Sequence, residues 1–519
     1  MVRVGSPAGA GVRALTGQFD TTPVLKARRL RLHTQQEPVV IMRSDCHVCH
    51  SEGLAARSQV LLSAAGSAVQ ATLFQIDGDD LLALDQVALS EAAWSLLGVQ
   101  DGDPVHVSHP PALESLASVR RRIHGNRLDE QAMAGIVRDV VAGRYTEIHL
   151  SSFLTASAAW PLDADEIVHL TKAMIEAGDR LSWSAPMVVD KHSIGGLPGN
   201  RTTPIVVAVV TALGLIMPKT SSRAITSPAG TADAMETLTN VDLDIPAMRR
   251  VVEAEGGCLA WGGAVRLSPA DDIFIRVERV LDIDTEGQLI ASVLSKKIAA
   301  GSTHVVLDIP VGPTAKVRSE EAARALSERL IETAARFGLS AVCLQSDGSQ
   351  PVGRGVGPAL EARDVLAVLQ NRPDAPDDLR RRACALAGAA LELGGVVAAG
   401  AGFGVAADTL ADGRAWTKFQ RICDAQGGLR VPPAAALRRP LAAPRSGRVV
   451  HINNRKVARL AKLAGAPDAR AAGLMMDVRL GQEIAAGEPL LTVHAQTPGE
   501  LAYALDYAAA NLDIVEIEA

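Results

Sequence analysis

The residues best suited to chemistry lie between Asp190 and Glu236, where two loops rich in Gly, Ser, Thr, Lys and Arg each follow a short apolar run and precede a helical pattern. In the first, Asp190, Lys191, His192 and Ser193 come ahead of Gly195, Gly196 and Gly199, which permit backbone angles that other residues resist. Lys191 brings a full positive charge, and Ser193, Thr202 and Thr203 bring hydroxyl donors. In the second, Lys219, Thr220, Ser221, Ser222, Arg223, Thr226, Ser227 and Thr231 crowd into thirteen positions. Backbone N–H groups at a helix start, together with the helix dipole, attract an oxyanion, and Arg223 offers a planar fork for phosphate or a carbonyl-bearing base. A third set, Asp284, Ser292 and Lys296, is spaced i, i+8 and i+12, so on a helix it shares one face.

Each set also has a plainer reading. The first loop would equally serve an ordinary strand-to-helix turn, with Asp190 and His192 held by local hydrogen bonds. The second would serve as a solvated connection. The third would be the wet stripe of an amphipathic helix that buries Ile290, Val293, Leu294 and Ile298. The first loop lacks both the Gly-Lys-Ser/Thr close of a P-loop and the GxGxxG spacing. Two such loops after neighbouring strands nevertheless favour one cleft at the carboxyl ends of a parallel sheet, and a substrate that carries phosphate.

The elements that must hold these residues follow from pattern. Met187–Val189 and Leu215–Met217 read as buried strands, and Thr203 as the N-cap of a helix with Pro204 at its first position. Asp129 and Asp163 open helices with apolar stripes at Met133, Ile136, Val137 and Val140, and at Ile167, Leu170, Met174 and Ile175. Pro432, Pro433, Pro440 and Pro444 mark a linker. The predicted fold is therefore a multidomain α/β protein. Residues 1–22 form a disordered leader, 23–110 a small β domain, and 115–185 a helical domain. Residues 186–430 form an α/β phosphate-binding domain with a mostly parallel sheet, and 440–519 an α+β domain resembling a barrel-sandwich. The hairpin at Met475, Met476 and Asp477 has no lysine to carry a swinging arm.

Composition narrows the partners. A net charge of −6 and 3% aromatic residues argue against nucleic acid, which wants a basic face and stacking surfaces. No uncharged apolar run is long enough to span a membrane, so a cytoplasmic location with six reduced cysteines is expected. Cys46, His47, Cys49 and His50 are too close together to meet one tetrahedral ion without strain, and no second CxxC completes a zinc site. They read as a structural turn, and no metal or organic cofactor is expected.

Asp190–Gly196, together with Ser221, Ser222, Arg223, Ala224 and the run Gly230, Thr231, Asp233 and Glu236, resembles the thymidine/pyrimidine-nucleoside phosphorylase family. The likeness covers residue 115 to the C-terminus, implies that residues about 270–300 join the helical domain in space, and extends to the preceding β domain, which is similar to that of the family's long branch. The resemblance implies a homodimer or larger homo-oligomer that phosphorolyses a nucleoside, with inorganic phosphate as a substrate. It implies phosphate held by Lys191, Ser193, Gly196, Thr203, Ser221 and Thr231. The nucleoside would meet Ser222, Arg223, Thr226, Ser227, Ser292, Lys296 and Lys316. Asp284 would donate a proton, with Lys191, His192 and Arg223 also in the catalytic set. Pro228 departs from the family's signature, which has Thr or Ala there, and the wording from Ser221 to Ser227 is closer to the AMP phosphorylase branch, so a nucleoside 5′-monophosphate giving ribose 1,5-bisphosphate stands as a second substrate. An anthranilate-type phosphoribosyltransferase and a non-catalytic nucleotide sensor are more distant alternatives.

Overall fold

The structure, a computed structural model, describes residues 24–224, 227–283 and 285–519. The expectations for residues 1–22, Thr226 and Asp284 fall outside that range. The chain divides into two units, one ending at Glu114 and one beginning at Ser115.

In the first unit β1 (Val24–Leu32), β2 (Val39–Arg43), β3 (Gln59–Ala64), β4 (Ser67–Ile76), β5 (Gln86–Ser90) and β6 (Pro104–Ser108) close into a barrel of order β1-β5-β2-β4-β3-β6. Closure leaves no unpaired sheet edge, and period-two alternation sends Val60, Leu62 and Ala64 of β3 inward. Cys46 and Cys49 belong to the barrel core. The Cys46 sulfur accepts the Cys49 N–H and caps the short helix His47–Glu52, while His47 and His50 are exposed.

The second unit begins with helices Leu116–Ile123, Glu130–Val141, Glu147–Ala159 and Ala164–Glu176. Two later helices, Pro269–Leu281 and Glu286–Ala299, pack on them, with Phe153 and Phe274 ring centroids 5.7 Å apart. Asp129 and Asp163 cap their helices through side-chain oxygens, and Glu166 closes a capping box with Asp163. Glu166 also holds the buried Arg122 at 2.8 Å.

The parallel strands β7 (Val189–Ser193), β8 (Met217–Ser221) and β9 (Gly257–Trp261) run between these helical segments, and β10 (His304–Val311) and β11 (Ser340–Asp347) follow the second. The order is β9-β8-β7-β10-β11, with β7 and β8 joined through a Val188–Ile216 bridge and a 2.9 Å bond from the Val189 N–H to the Ile216 carbonyl. Strand order reverses between β7 and β10, and ligands of open α/β sheets bind at such a reversal. The helix Thr203–Ala212 lies entirely in the core beneath it.

Three local expectations shift. β7 and β8 begin two residues later than expected and continue through the polar residues to Ser193 and Ser221. Ladder pairing carries them on, with Lys191 opposite Val306 and Ser193 opposite Asp308, so polarity did not end the strand. The helix N-cap is Thr202 rather than Thr203, which with Pro204 forms the first turn. Pro440 lies inside the edge strand β13 (Leu437–Ala442) and not in a linker, since an edge tolerates the missing donor.

The C-terminal part holds two sheets. In one, β12 (Gly355–Val356) pairs with β15 (Gly473–Met476), followed by β17 (Pro489–Ala495) and β13. In the other, β16 (Glu483–Ile484) and β18 (Val515–Glu518) flank β14 (Gly447–Ile452). Because β12 belongs in sequence to the α/β region, main-chain bonds join the two. Among the described residues no helix is long and apolar enough to cross a membrane.

Candidate active site

Alternation along β7 sends successive side chains to opposite sides of the sheet. Lys191 is buried and donates from Nζ to Thr202 Oγ1 at 2.8 Å, at the start of the core helix. Burial pushes its ammonium down to about 8, opposed by the nearby Asp308 carboxylate. Ser193 Oγ donates to Asp308 Oδ2 at 2.9 Å, and the Asn200 amide donates to both, at 3.2 and 3.1 Å. The chain then turns through Gly195 and Gly196, both at positive φ. A Cβ on Gly196 would sit 3.0 Å from the backbone N and Cγ of Lys316, so glycine lets the exposed Lys316 approach the loop.

On the other side Asp190 is buried between two lysines, with Lys219 Nζ 3.2 Å from Oδ1 and Lys297 Nζ 2.9 Å from Oδ2. Burial alone would raise the Asp190 carboxyl. The two ammonium groups outweigh it and hold the value below the usual range. His192 points the same way. Its burial, reinforced by Lys297, Lys296, Lys219 and Lys191, holds its imidazole well below the usual value, so at neutral pH it is uncharged. Two of those lysines come from β7 and β8, and two from the helix Glu286–Ala299.

The second loop is tied to the first by Arg201, which is buried. Its guanidinium donates to Glu361 Oε2 at 2.7 Å, Thr231 Oγ1 at 2.7 Å and the Ala229 carbonyl at 2.9 Å. Asp233 Oδ2 accepts the N–H groups of Ala224 and Gly230, at 2.6 and 2.8 Å, and so fixes both ends of the turn. Ser221 Oγ is buried with no partner among the described residues, which leaves a hydroxyl for a ligand. Thr203 is buried in the first turn of the core helix, and Ser222 lends its backbone carbonyl to the Ala232 N–H.

Arg223 does not present a free fork. Its two terminal nitrogens bind Glu236 at 2.8 and 3.1 Å, it meets Asp233 at 3.3 Å, and it lies 4.7 Å above the Trp261 ring. Ser227 Oγ is spent on the Ala229 carbonyl at 2.8 Å. Among the described residues, Arg223 and Ser227 thus engage carboxylates and backbone, while Thr226 lies outside the described residues.

Across the cleft, Lys296 Nζ bonds Asp271 at 2.7 Å and donates to Ser292 Oγ at 3.2 Å. Asn200, Arg201, Asp271, Lys297, Asp308 and Glu361 were absent from the sequence expectation, while Lys219 was read only as one cation of the second loop. Asp308 left a signal, as one acid inside the apolar run of β10, and Lys297 adjoins Lys296. Nothing in the sequence pairs Arg201 with Glu361, 160 residues away. Among the described residues no group of three or more His, Cys, Asp or Glu could hold a metal ion.

Residues 185–416 match the α/β domain of the glycosyl transferase family, residues 117–178 its helical bundle domain, and residues 448–515 the pyrimidine nucleoside phosphorylase C-terminal domain. A relative from Chelativorans sp. (strain BNC1), named "Putative thymidine phosphorylase", is 73% identical over 96% of this chain and 98% of its own. Relatives of the same name from Tolumonas auensis and Parvibaculum lavamentivorans are each 65% identical over the same shares. Among solved structures, anthranilate phosphoribosyltransferase from Thermus thermophilus superposes with a TM-score of 0.51 at 21% identity, over 60% of this chain and 99% of its own. That likeness concerns the fold alone.

Proposed function

The chain belongs to the thymidine phosphorylase family of glycosyl transferases, and from that premise we propose that it catalyses the reversible phosphorolysis of a pyrimidine nucleoside, thymidine foremost, to free base and (2-deoxy)ribose 1-phosphate. The observation that carries this reading is the gathering of cations about β7 from both the sheet and the helical segment: Lys191 against the start of the core helix on one side, and Lys219 of β8 with Lys296 and Lys297 of the helix Glu286–Ala299 on the side of Asp190 and His192. Phosphorolysis needs such a place, where one anion is bound and a second negative charge develops.

In this reading inorganic phosphate lies against Lys191, Ser193, Gly196, Thr203, Ser221 and Thr231. As the N-glycosidic bond breaks, positive charge grows at C1′ and negative charge on the base. Phosphate stabilises the first and then attacks it. Ser292 and Lys296 hold the base and stabilise charge that appears only as the bond opens, which is where binding accelerates reaction. His192, uncharged, has one N–H to offer a carbonyl oxygen of the leaving base. Asp284 is the proposed proton donor, and Lys316, Ser222 and Arg223 border the nucleoside. A metal or organic cofactor has no part in this scheme, and the protein is proposed to work as a cytoplasmic homo-oligomer.

The 5′-monophosphate alternative loses its support with the engaged Arg223 and Ser227. The test is base release from thymidine, uridine and AMP with and without orthophosphate. Thymidine and uridine should yield base and pentose 1-phosphate only when orthophosphate is present. Equal turnover without it overturns the proposal.

A further inference from the structure

Asp308 is completely buried at the switch point of the sheet, on β10 directly opposite Ser193. Its Oδ1 accepts the Ser346 hydroxyl, and its Oδ2 accepts the Ser193 hydroxyl and the Asn200 amide. A carboxyl group whose two oxygens gather three donors acts as the acceptor in each of those bonds. The hydrogen between Ser193 and Asp308 therefore belongs to the serine. A hydroxyl has one proton and two lone pairs, and Asn200 Nδ2 donates to Ser193 Oγ at 3.2 Å. What Ser193 Oγ still has to offer a ligand is one lone pair. The Asn200 Oδ1 atom beside it is also buried without a donor among the described residues. Reversing that amide would turn its oxygen toward the Asp308 carboxylate, which opposes the exchange.

We propose that Asp308 determines anion specificity: by accepting the one hydrogen bond that Ser193 can donate it leaves Ser193 Oγ a hydrogen-bond acceptor, so that the site selects an oxyanion that still carries a proton. This rests on the phosphorolytic reading and deepens it. Near neutral pH orthophosphate and arsenate keep at least one acidic proton, whereas sulfate keeps none. Lys191 and Ser221 serve all three anions alike, but Ser193 bonds only to those with a P–OH or As–OH and repels sulfate through its lone pair. An unpaired acceptor facing an anion is costly, and one bond to a charged partner is worth about tenfold in affinity.

The test is calorimetric titration of the full-length protein with phosphate, arsenate and sulfate near neutral pH, beside phosphate-dependent base release. The wild type is expected to bind phosphate and arsenate at least about tenfold more tightly than sulfate. Ser193→Ala should weaken phosphate and arsenate by about tenfold and leave sulfate unchanged or tighter, because the protonated anions lose a bond while sulfate loses only a facing lone pair. Asp308→Asn, whose amide can donate to Ser193 and release its proton, should narrow the gap by strengthening sulfate. Equal weakening of all three anions in Ser193→Ala, or an unchanged gap in a folded Asp308→Asn, overturns the inference. If Asp308→Asn does not fold, Ser193→Ala decides alone. A wild type without phosphate-dependent base release would instead defeat the phosphorolytic reading itself.

Discussion

Lys297 Nζ lies 2.9 Å from Asp190 Oδ2 and ties the helix Glu286–Ala299 to β7 through the interior, one residue from Lys296 on one side and from Lys191 on the other. The same carboxylate takes Lys219 at 3.2 Å, so two buried ammonium groups share one negative charge. Removing one partner of a buried pair leaves an uncompensated charge, which costs about 3–5 kcal/mol. Asp190→Ala strands both lysines and should lose that much in urea unfolding at unchanged slope. Lys297→Met leaves Asp190 paired with Lys219 and should lose clearly less. Equal losses would refute the shared pair.

Arg201 joins the two loops, and Glu361 is its buried counter-charge. Arg201→Ala should cost about 3–5 kcal/mol of stability and raise the phosphate KM, as Thr231 loses its donor. The pH dependence has a definite sign. Burial already raises the Glu361 carboxyl, with Arg201 opposing, and removing Arg201 raises it further. An acid whose folded value lies above its unfolded one binds more protons when folded, so its contribution to stability falls as pH rises between the two. The deficit of Arg201→Ala should therefore be smallest under mildly acidic conditions and grow toward neutrality. A deficit independent of pH would show that Glu361 is not what the substitution exposes.

Lys191 holds phosphate only while protonated, and burial sets its value at about 8. In the free enzyme kcat/KM for phosphate should fall about tenfold per pH unit above that point. Lys191→Gln should be much slower and lack this limb. An alkaline limb that survives in Lys191→Gln assigns it to another group.

Lys296 stabilises the departing base in the proposed scheme, with Ser292 and Asp271 fixing its ammonium. Lys296→Met should lower kcat/KM for thymidine by about 10²–10³, the usual cost of one preorganised donor. Phosphate affinity by calorimetry should stay close to wild type. A comparable loss of phosphate affinity would place Lys296 in the anion site instead.

Much of this was legible before any fold was known. The hydroxyls and cations of the two loops, the helix starts at Asp129 and Asp163, and the parallel sheet each follow from residue types at short range. The errors were short-range too. Polar residues from Asp190 to Ser193 looked like a loop, because a sequence does not reveal that the ladder to β10 continues beneath them. The contacts of Arg223 with Glu236 and Trp261 likewise arise only after the chain folds back.

What the sequence determined by itself is which chemical groups are present and which of them a helix or strand must place side by side, since those spacings depend on backbone geometry alone. Which donor is spent and which remains free was decided only by tertiary structure. Asp308 accepts the hydrogen bond of the Ser193 hydroxyl across 115 residues, and Glu361 pairs with Arg201 across 160. A hydrogen bond depends on contact in space, and distance along the chain carries no record of it.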